Sequence, residues 1–209
     1  MTDIANETGW RGSEDVWLQA AHDALIEAGI DGVRIQKLAQ RMNLSRTSFY
    51  WFFKDRNALL DALIGQWRVK NTGNLIGRTE AYAETIAEAA LNLHDCWFDE
   101  SLFDSRLEFA MRGWGLQSPD VSQAIEEADA ARLKALVDLF QRFGFAEEPA
   151  DVRARTIYLT QIGYITMKVE ENLEMRMKRV PAYVETFTGM RPSESELARF
   201  YARHGYSPA

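Results

Sequence analysis

The sequence predicts an all-α protein of about nine or ten helices, a small three-helix N-terminal unit followed by a larger helical domain. Three observations point there. Apolar residues recur three and four positions apart through most of the chain, the spacing that gathers them on one helix face. No segment of useful length alternates apolar and polar residues as a half-buried strand does. Gly, Asn and Pro fall between the periodic stretches, where helices stop.

Residues 1–11 are polar, contain Gly, and are expected to lack regular structure. Val16, Trp17, Ala20, Ala21, Ala24, Leu25 and Ala28 then mark a helix over about 14–28, with Ser13 as N-cap and Gly29 as the left-handed residue that ends it. GIDGV at 29–33 is a loop. Short helices follow at about 35–42 and 45–52, and a fourth opens after Asp55 and runs through Leu59, Leu60, Leu63, Ile64 and Trp67. NTGNLIG at 71–77 carries two Gly and two Asn, so a break or kink is expected there. Helices are predicted at about 78–97, 101–113 and 119–143, and a long one at about 149–176 after the 144–149 loop. A turn is placed near Pro181, with helix resuming to about 187 and GMRP at 189–192 as a stop. Ser193 with Glu196 three residues on is a capping-box signature for a last helix to about 203.

The stretch 35–56, IQKLAQRMNLSRTSFYWFFKDR, carries the most chemistry. Its apolar positions, Ile35, Leu38, Ala39, Met42, Leu44, Phe49, Phe52 and Phe53, line one side of two crossed helices. Arg46, Thr47, Tyr50 and Trp51 are left facing outward. Asn43 lies where the chain must turn sharply, and Asn tolerates the left-handed conformation better than any residue but Gly. Ser45 can cap the second helix, and the small Ala39 lets that helix approach. A helix presented this way fits the major groove of B-form DNA. On this geometry Arg46 and Thr47 are placed to read base edges, with Trp51 against a thymine methyl or a sugar. The run of five aromatics from Phe49 to Phe53 also admits a plainer reading, in which Trp51 is partly core.

Charge distribution agrees. The 209-residue chain is 46% hydrophobic and 26% charged, with a net charge of −7, which argues against nucleic-acid binding by the whole surface. Residues 31–56 nevertheless carry six Lys/Arg against two acids, while the flanking segments 1–30 and 57–209 carry nets of −5 and −6. Localised positive charge on an acidic chain is what a confined phosphate contact needs. The single cysteine, Cys96, excludes an intramolecular disulfide and fits a reducing compartment. With no run of about 18 apolar residues and no secretory-type start, a cytoplasmic protein without a membrane partner is expected.

Residues 20–64, AAHDALIEAGIDGVRIQKLAQRMNLSRTSFYWFFKDRNALLDALI, resemble the TetR/AcrR family of bacterial transcriptional regulators. The family pattern is a first helix ending in Gly, an Ile/Val-x-x-[Ile/Leu]-Ala helix, a turn, then Ser-[Arg/Lys]-x-x-[Leu/Phe]-Tyr-x-x-Phe-x-x-[Lys/Arg]-x-x-Leu. Gly29, Ile35, Leu38, Ala39, Ser45, Arg46, Phe49, Tyr50, Phe53, Arg56 and Leu59 occupy those slots. The resemblance covers about the first third of the chain. Arg34 stands where the family usually has a Ser/Thr cap, and Asn43 where it usually has Gly.

The resemblance implies a DNA-binding domain over 10–56 with its helix–turn–helix at about 33–52. Residues 57–209 would form an effector-binding and dimerisation domain, joined through a helix at about 56–70. It implies a repressor released from a palindromic double-stranded operator by a small, largely apolar or aromatic effector. The alternative is a DNA-binding regulator without small-molecule control, answering to a protein partner or acting as an activator. Tyr50, Lys54 and Arg56 would grip phosphates, Ser45 would cap the reading helix beside DNA, and Gln36, Lys37 and Arg34 would make further backbone or base contacts. The predicted helix at 149–176 is apolar on more than one face, at Val152, Ile157, Leu159, Ile162, Ile165, Met167, Val169 and Leu173. In the family such a helix and the next form a homodimer interface, here within about 149–187. Trp67, His94, Trp97, Phe98, Phe109, Trp114, Tyr164 and Met167 are the candidates for an effector pocket, and core packing is the alternative for each.

Catalysis is not expected. His94-Asp95-Cys96 is the one cluster of potential metal ligands, and adjacent residues on a helix diverge. His22 and His204 lie far off in sequence, and there is no zinc-type spacing, phosphate loop or nucleophile motif. No metal or cofactor is predicted.

Overall fold

The computed structural model describes residues 12–208, all of whose regular structure is helical. The expected irregular lead at 1–11 lies outside the described residues. Eleven α-helices are present among them: α1 (Glu14–Ala28), α2 (Ile35–Arg41), α3 (Arg46–Phe49), α4 (Arg56–Trp67), α5 (Asn74–Glu80), α6 (Ile86–Phe98), α7 (Ser105–Gly115), α8 (Pro119–Arg142), α9 (Glu147–Thr166), α10 (Leu173–Thr188) and α11 (Glu194–Arg203). The chain divides into two compact units between Gln66 and Trp67, at the end of the helix expected to link two domains.

In the first unit, the Ser13 hydroxyl caps α1 by accepting from the Val16 amide at 3.3 Å. Gly29 ends it at φ 67°, ψ −170°, a region essentially reserved for glycine rather than the left-handed well the sequence led us to expect. Gly32 answers a different need: a Cβ there would sit 2.8 Å from the Ala24 carbonyl oxygen. Asn43 does adopt the left-handed conformation, at φ 52°. The core gathers Trp17, Leu25, Val33, Leu38 and Phe49, all essentially inaccessible. The Trp17 and Phe49 rings meet edge to face with centroids 5.2 Å apart, and Phe49 stacks on Phe53 at 5.5 Å.

The second unit departs from the predicted helix boundaries in five places. The expected break at 71–77 is instead a wide π-type turn, Arg68–Gly73, that runs directly into α5. Asn71 and Asn74 do not act as breakers because tertiary bonds occupy their side chains. Asn71 donates to Glu108 and to the Asp104 carbonyl, and Asn74 donates to the Leu102 carbonyl. The predicted helix over 78–97 is divided, since α5 ends at Glu80 and Thr85 caps α6 by accepting from the Glu88 amide. The helix predicted over 101–113 starts only at Ser105, where Asp104 provides the cap. The long helix predicted to 176 stops at Thr166, because Lys168 takes a positive φ of 51° and Asn172 caps a new helix. Pro181, expected in a turn, lies buried inside that helix, which forgoes one intrahelical bond there.

Helix α6 is buried almost all round, with Ala89, Leu93 and Cys96 facing the cluster of Leu136, Phe140, Ala154 and Ile157. Its Ala87, Ala90 and Leu91 face Val180, Val184 and Phe200 on α10 and α11. The α11 capping box at Ser193 and Glu196 forms as predicted.

A buried polar cluster fixes the start of this unit. The wholly buried Glu108 accepts from the Trp67 indole at 2.8 Å, from Asn71 at 2.9 Å and from the equally buried Arg132 at 2.9 Å. Arg112 joins Glu108 to Asp129, and the Tyr158 hydroxyl donates to Asp129 at 2.5 Å. Burial pushes the Glu108 carboxyl up, but Arg132, Arg112 and Asn71 together outweigh it and hold the group below its ordinary value. The two cations balance the two carboxylates, the condition for tolerating charge in an interior.

Replacing Glu108 with Ala leaves the buried Arg132 without its nearest counter-ion, with only Asp129 at 3.7 Å, and should cost about 3–5 kcal/mol of stability, read by denaturant unfolding. Because its folded pKa is depressed, the Glu108 contribution is complete above its ordinary value of 4.5. It is lost as pH falls through the folded value, so the wild-type advantage over Glu108→Ala should shrink on acidification.

Candidate nucleic-acid interface and ligand cleft

Helix α3 is short, and its outward face is extended by tight turns. Ser45 caps it, accepting from the Ser48 amide at 3.2 Å, while the Ser48 hydroxyl donates back to the Ser45 carbonyl at 2.8 Å. The amides of Tyr50, Trp51 and Phe52 bond three residues back, to Thr47, Ser48 and Phe49, so the helix predicted to reach 52 closes in 3₁₀ fashion. The aromatic run divides accordingly. Phe49 and Phe53 are buried and Phe52 half-buried, whereas Tyr50 and Trp51 are 53% and 68% exposed. Arg46 and Thr47 are exposed on the same short element, and Gln36 and Lys37 are exposed at the start of α2.

The six cations of the basic window have different tasks. Arg56 is half-buried and donates to the carbonyl oxygens of Val33 at 2.6 Å and Ile30 at 3.0 Å. It braces the loop between α1 and α2, so the guanidinium expected to grip a phosphate is engaged within its own unit. Arg41 holds Glu27 through two bonds, at 2.6 and 2.9 Å. Arg34 leaves α2 without a side-chain cap, as the departure from the family pattern implied, and pairs with Asp31 at 3.3 Å on the surface. Lys37, Arg46 and Lys54 are exposed and form no ion pair among the described residues.

In the second unit a cleft opens between α6, α9 and α10, with about 480 Å³ of atom-free space that includes open solvent at its mouth. Of the eight pocket candidates it takes His94, Trp97, Phe98 and Tyr164. Trp67 lies instead in the Glu108 cluster and Trp114 in the core. Phe109 sits beneath the Lys168 ammonium, 4.4 Å from its ring centre, and Met167 is 77% exposed past the end of α9. The sequence reading missed Arg176, Arg179, Tyr183 and Phe187, which line the cleft from α10. Their spacing of three or four residues was a usable signal, hidden by the turn placed at Pro181 in the middle of the set.

His94 is buried, and its Nδ1 donates to the Ala90 carbonyl at 2.7 Å. Burial lowers its pKa to about 4, so the ring is neutral near pH 7 and Nε2 is left as an acceptor. The Tyr164 and Tyr183 hydroxyls share a 2.7 Å bond, and Tyr183 stacks on Phe187. Among the described residues no group of three or more His, Cys, Asp or Glu could hold a metal ion, and no helix is long and apolar enough to cross a membrane.

Residues 18–63 match the profile of bacterial regulatory proteins of the tetR family. The chain is 36% identical over 63 residues to the class A tetracycline repressor protein from transposon 1721 in Escherichia coli, a match spanning 30% of this chain and 29% of that one. It is 46% identical over 46 residues to the Escherichia coli class D tetracycline repressor protein, covering 22% and 21% of the two chains. Less than a third of these relatives' length is matched. Across most of the chain the fold is similar to that of a TetR-family transcriptional regulator from Mesorhizobium loti, with TM-score 0.56, 17% identity, and 91% and 95% of the two chains covered. It is also similar to that of a transcriptional regulator from Rhodococcus, with TM-score 0.59, 16% identity, and 94% and 100% covered.

If Arg56 is a brace, Arg56→Met should destabilise the first unit by about 1.5–3 kcal/mol, because two carbonyls lose a charged donor. Lys54→Met should stay within about 0.5 kcal/mol of the parent. Thermal and denaturant unfolding of the two variants checks this. The matched segment lies on the helix–turn–helix and its flanking helices, so it is the first unit of this chain that is similar to the DNA-binding segment of tetR-family bacterial regulatory proteins.

Proposed function

We propose that the protein is a non-catalytic, cytoplasmic repressor that binds a palindromic DNA operator as a homodimer and is released by a small, largely apolar or aromatic effector. The observation that carries the DNA-reading part is the exposed set Arg46, Thr47, Tyr50 and Trp51 on an element whose rear is locked by Phe49. Arg46 bonds a guanine edge, Thr47 and Trp51 meet neighbouring bases or sugars, and Tyr50, Lys37 and Lys54 hold phosphates. Gln36 and the cap at Ser45 sit beside them, and Arg34 reaches the backbone when it leaves Asp31. Arg56 acts indirectly, through the loop it braces.

Dimerisation through α9 and α10 is supported by apolar residues left on their outer faces. Val152 and Leu159 are 56% and 61% exposed, although Ile157 on the same helix is buried. Two reading heads then meet half-sites about 34–36 Å apart, or a multiple of that spacing. The cleft between α6, α9 and α10 has the mixed apolar and polar lining of a small-molecule site. An effector bound there acts only through different affinities for two arrangements of the dimer.

Selecting bound duplexes from a random pool should yield an inverted repeat. Arg46→Ala should relax preference at one base pair in each half-site, with about 1–3 kcal/mol of discrimination lost. Lys54→Ala should weaken binding to all sequences alike and lower the salt slope by about one. A pool with no repeat symmetry, or two variants indistinguishable from the parent, would remove the proposal.

A further inference from the structure

One of the two cations that line the cleft, Arg176, forms no ion pair among the described residues. Arg176 is half-buried, lies 4.4 Å over the Phe98 ring and donates one bond to the Trp97 carbonyl. It forms no ion pair among the described residues, whereas its neighbour Arg179 is held by Glu171. Desolvation pulls the Arg176 guanidinium below its ordinary value, against the opposing pull of Glu171 and Tyr164. Half-buried Arg153 also lacks an ion pair, but it does not line the cleft, whereas the Arg112 and Arg132 guanidinium groups of this unit are matched by carboxylates. The Trp97 indole N–H is buried too, without a hydrogen-bond partner among the described residues. A neutral amphipathic cleft would need neither feature.

We infer that the effector of this cleft is an aromatic or extended apolar carboxylate whose anionic end pairs with Arg176. This rests on the reading of the cleft as the effector site. The guanidinium presents its remaining N–H donors to the two carboxylate oxygens in the bidentate geometry that Arg favours. The indole of Trp97 supplies a further donor. Tyr183, Phe187 and Phe98 enclose the apolar body, and a donor on that body has His94 Nε2 as its acceptor. With Arg176 and Arg179 against Glu171, the lining carries one net positive charge, which an incoming carboxylate neutralises. Neutral hydrocarbons and amines are the classes this lining disfavours, the first for leaving a desolvated cation unpaired and the second for adding another.

Calorimetric titration of the full chain with 2-naphthoate, 2-naphthamide and naphthalene tests this, using the parent, Arg176→Gln, Arg176→Lys and the cleft-filling Thr160→Trp. The parent should prefer the carboxylate over the amide by about ten- to hundredfold. Arg176→Gln should abolish that preference, Arg176→Lys should keep part of it, and Thr160→Trp should prevent binding. The carboxylate-to-amide ratio is a readout that a purely structural role for Arg176 would not move. Equal binding of all three compounds, lost in Thr160→Trp but not in Arg176→Gln, would overturn the anion assignment and leave the cleft intact. Binding indifferent to Thr160→Trp, or no binding at all, would overturn the cleft reading and the proposal with it.

Discussion

The site at the N-terminal end depends on one contact, the burial of Phe49 edge-on against Trp17. An element of four helical residues has no independent stability, so its orientation must come from packing. With Phe49 fixed and Phe53 stacked behind it, the tight turns that follow leave Tyr50 and Trp51 no inward place. Arg46 and Thr47, one turn earlier, share the outward side. Chemistry on the surface is therefore set by an apolar contact beneath it. A basic stretch without that rear face would be only a charged loop.

The same economy appears in the cations. Six basic residues in 31–56 look equivalent by charge, yet folding sets Arg56 against two loop carbonyls and Arg41 against Glu27. Arg34 pairs with Asp31 on the surface, and the three that remain, Lys37, Arg46 and Lys54, are exposed. Positive charge in this window thus serves two ends, holding the loops of the unit and presenting a smaller set outward. In the second unit the balance is struck inside, where Glu108 and Asp129 neutralise Arg112 and Arg132. Arg176 forms no ion pair and lines the cleft, which is why the cleft points to a carboxylate.

Much of the first unit was legible because its signals are local. Caps at Ser13 and Ser45, the left-handed Asn43 and the apolar spacing of α1 and α2 depend on neighbours a few residues away. Legibility failed wherever a side chain found a distant partner. Asn71 and Asn74 read as helix breakers, but bonds to residues about thirty positions on hold them in helical structure. Arg56 matched a family slot and a charge pattern, and neither reveals that its guanidinium points at its own loop. Pro181 reads as a turn, but α10 accommodates it in its buried face, and with it went the cleft residues Arg176 and Tyr183 on either side. The break at Lys168 had no signal, since Lys is not a residue that favours positive φ.

The central claim is that the outward side of α3 is the part that touches DNA. A photoreactive residue at position 51, with a second protein labelled at Asp15 in the exposed acidic first turn of α1, tests it most directly. Irradiation with the selected duplex should crosslink DNA from position 51, at one place in each half-site, and not from position 15. Crosslinking from position 15 alone, or none from position 51 in a chain that still binds the duplex, would contradict the account.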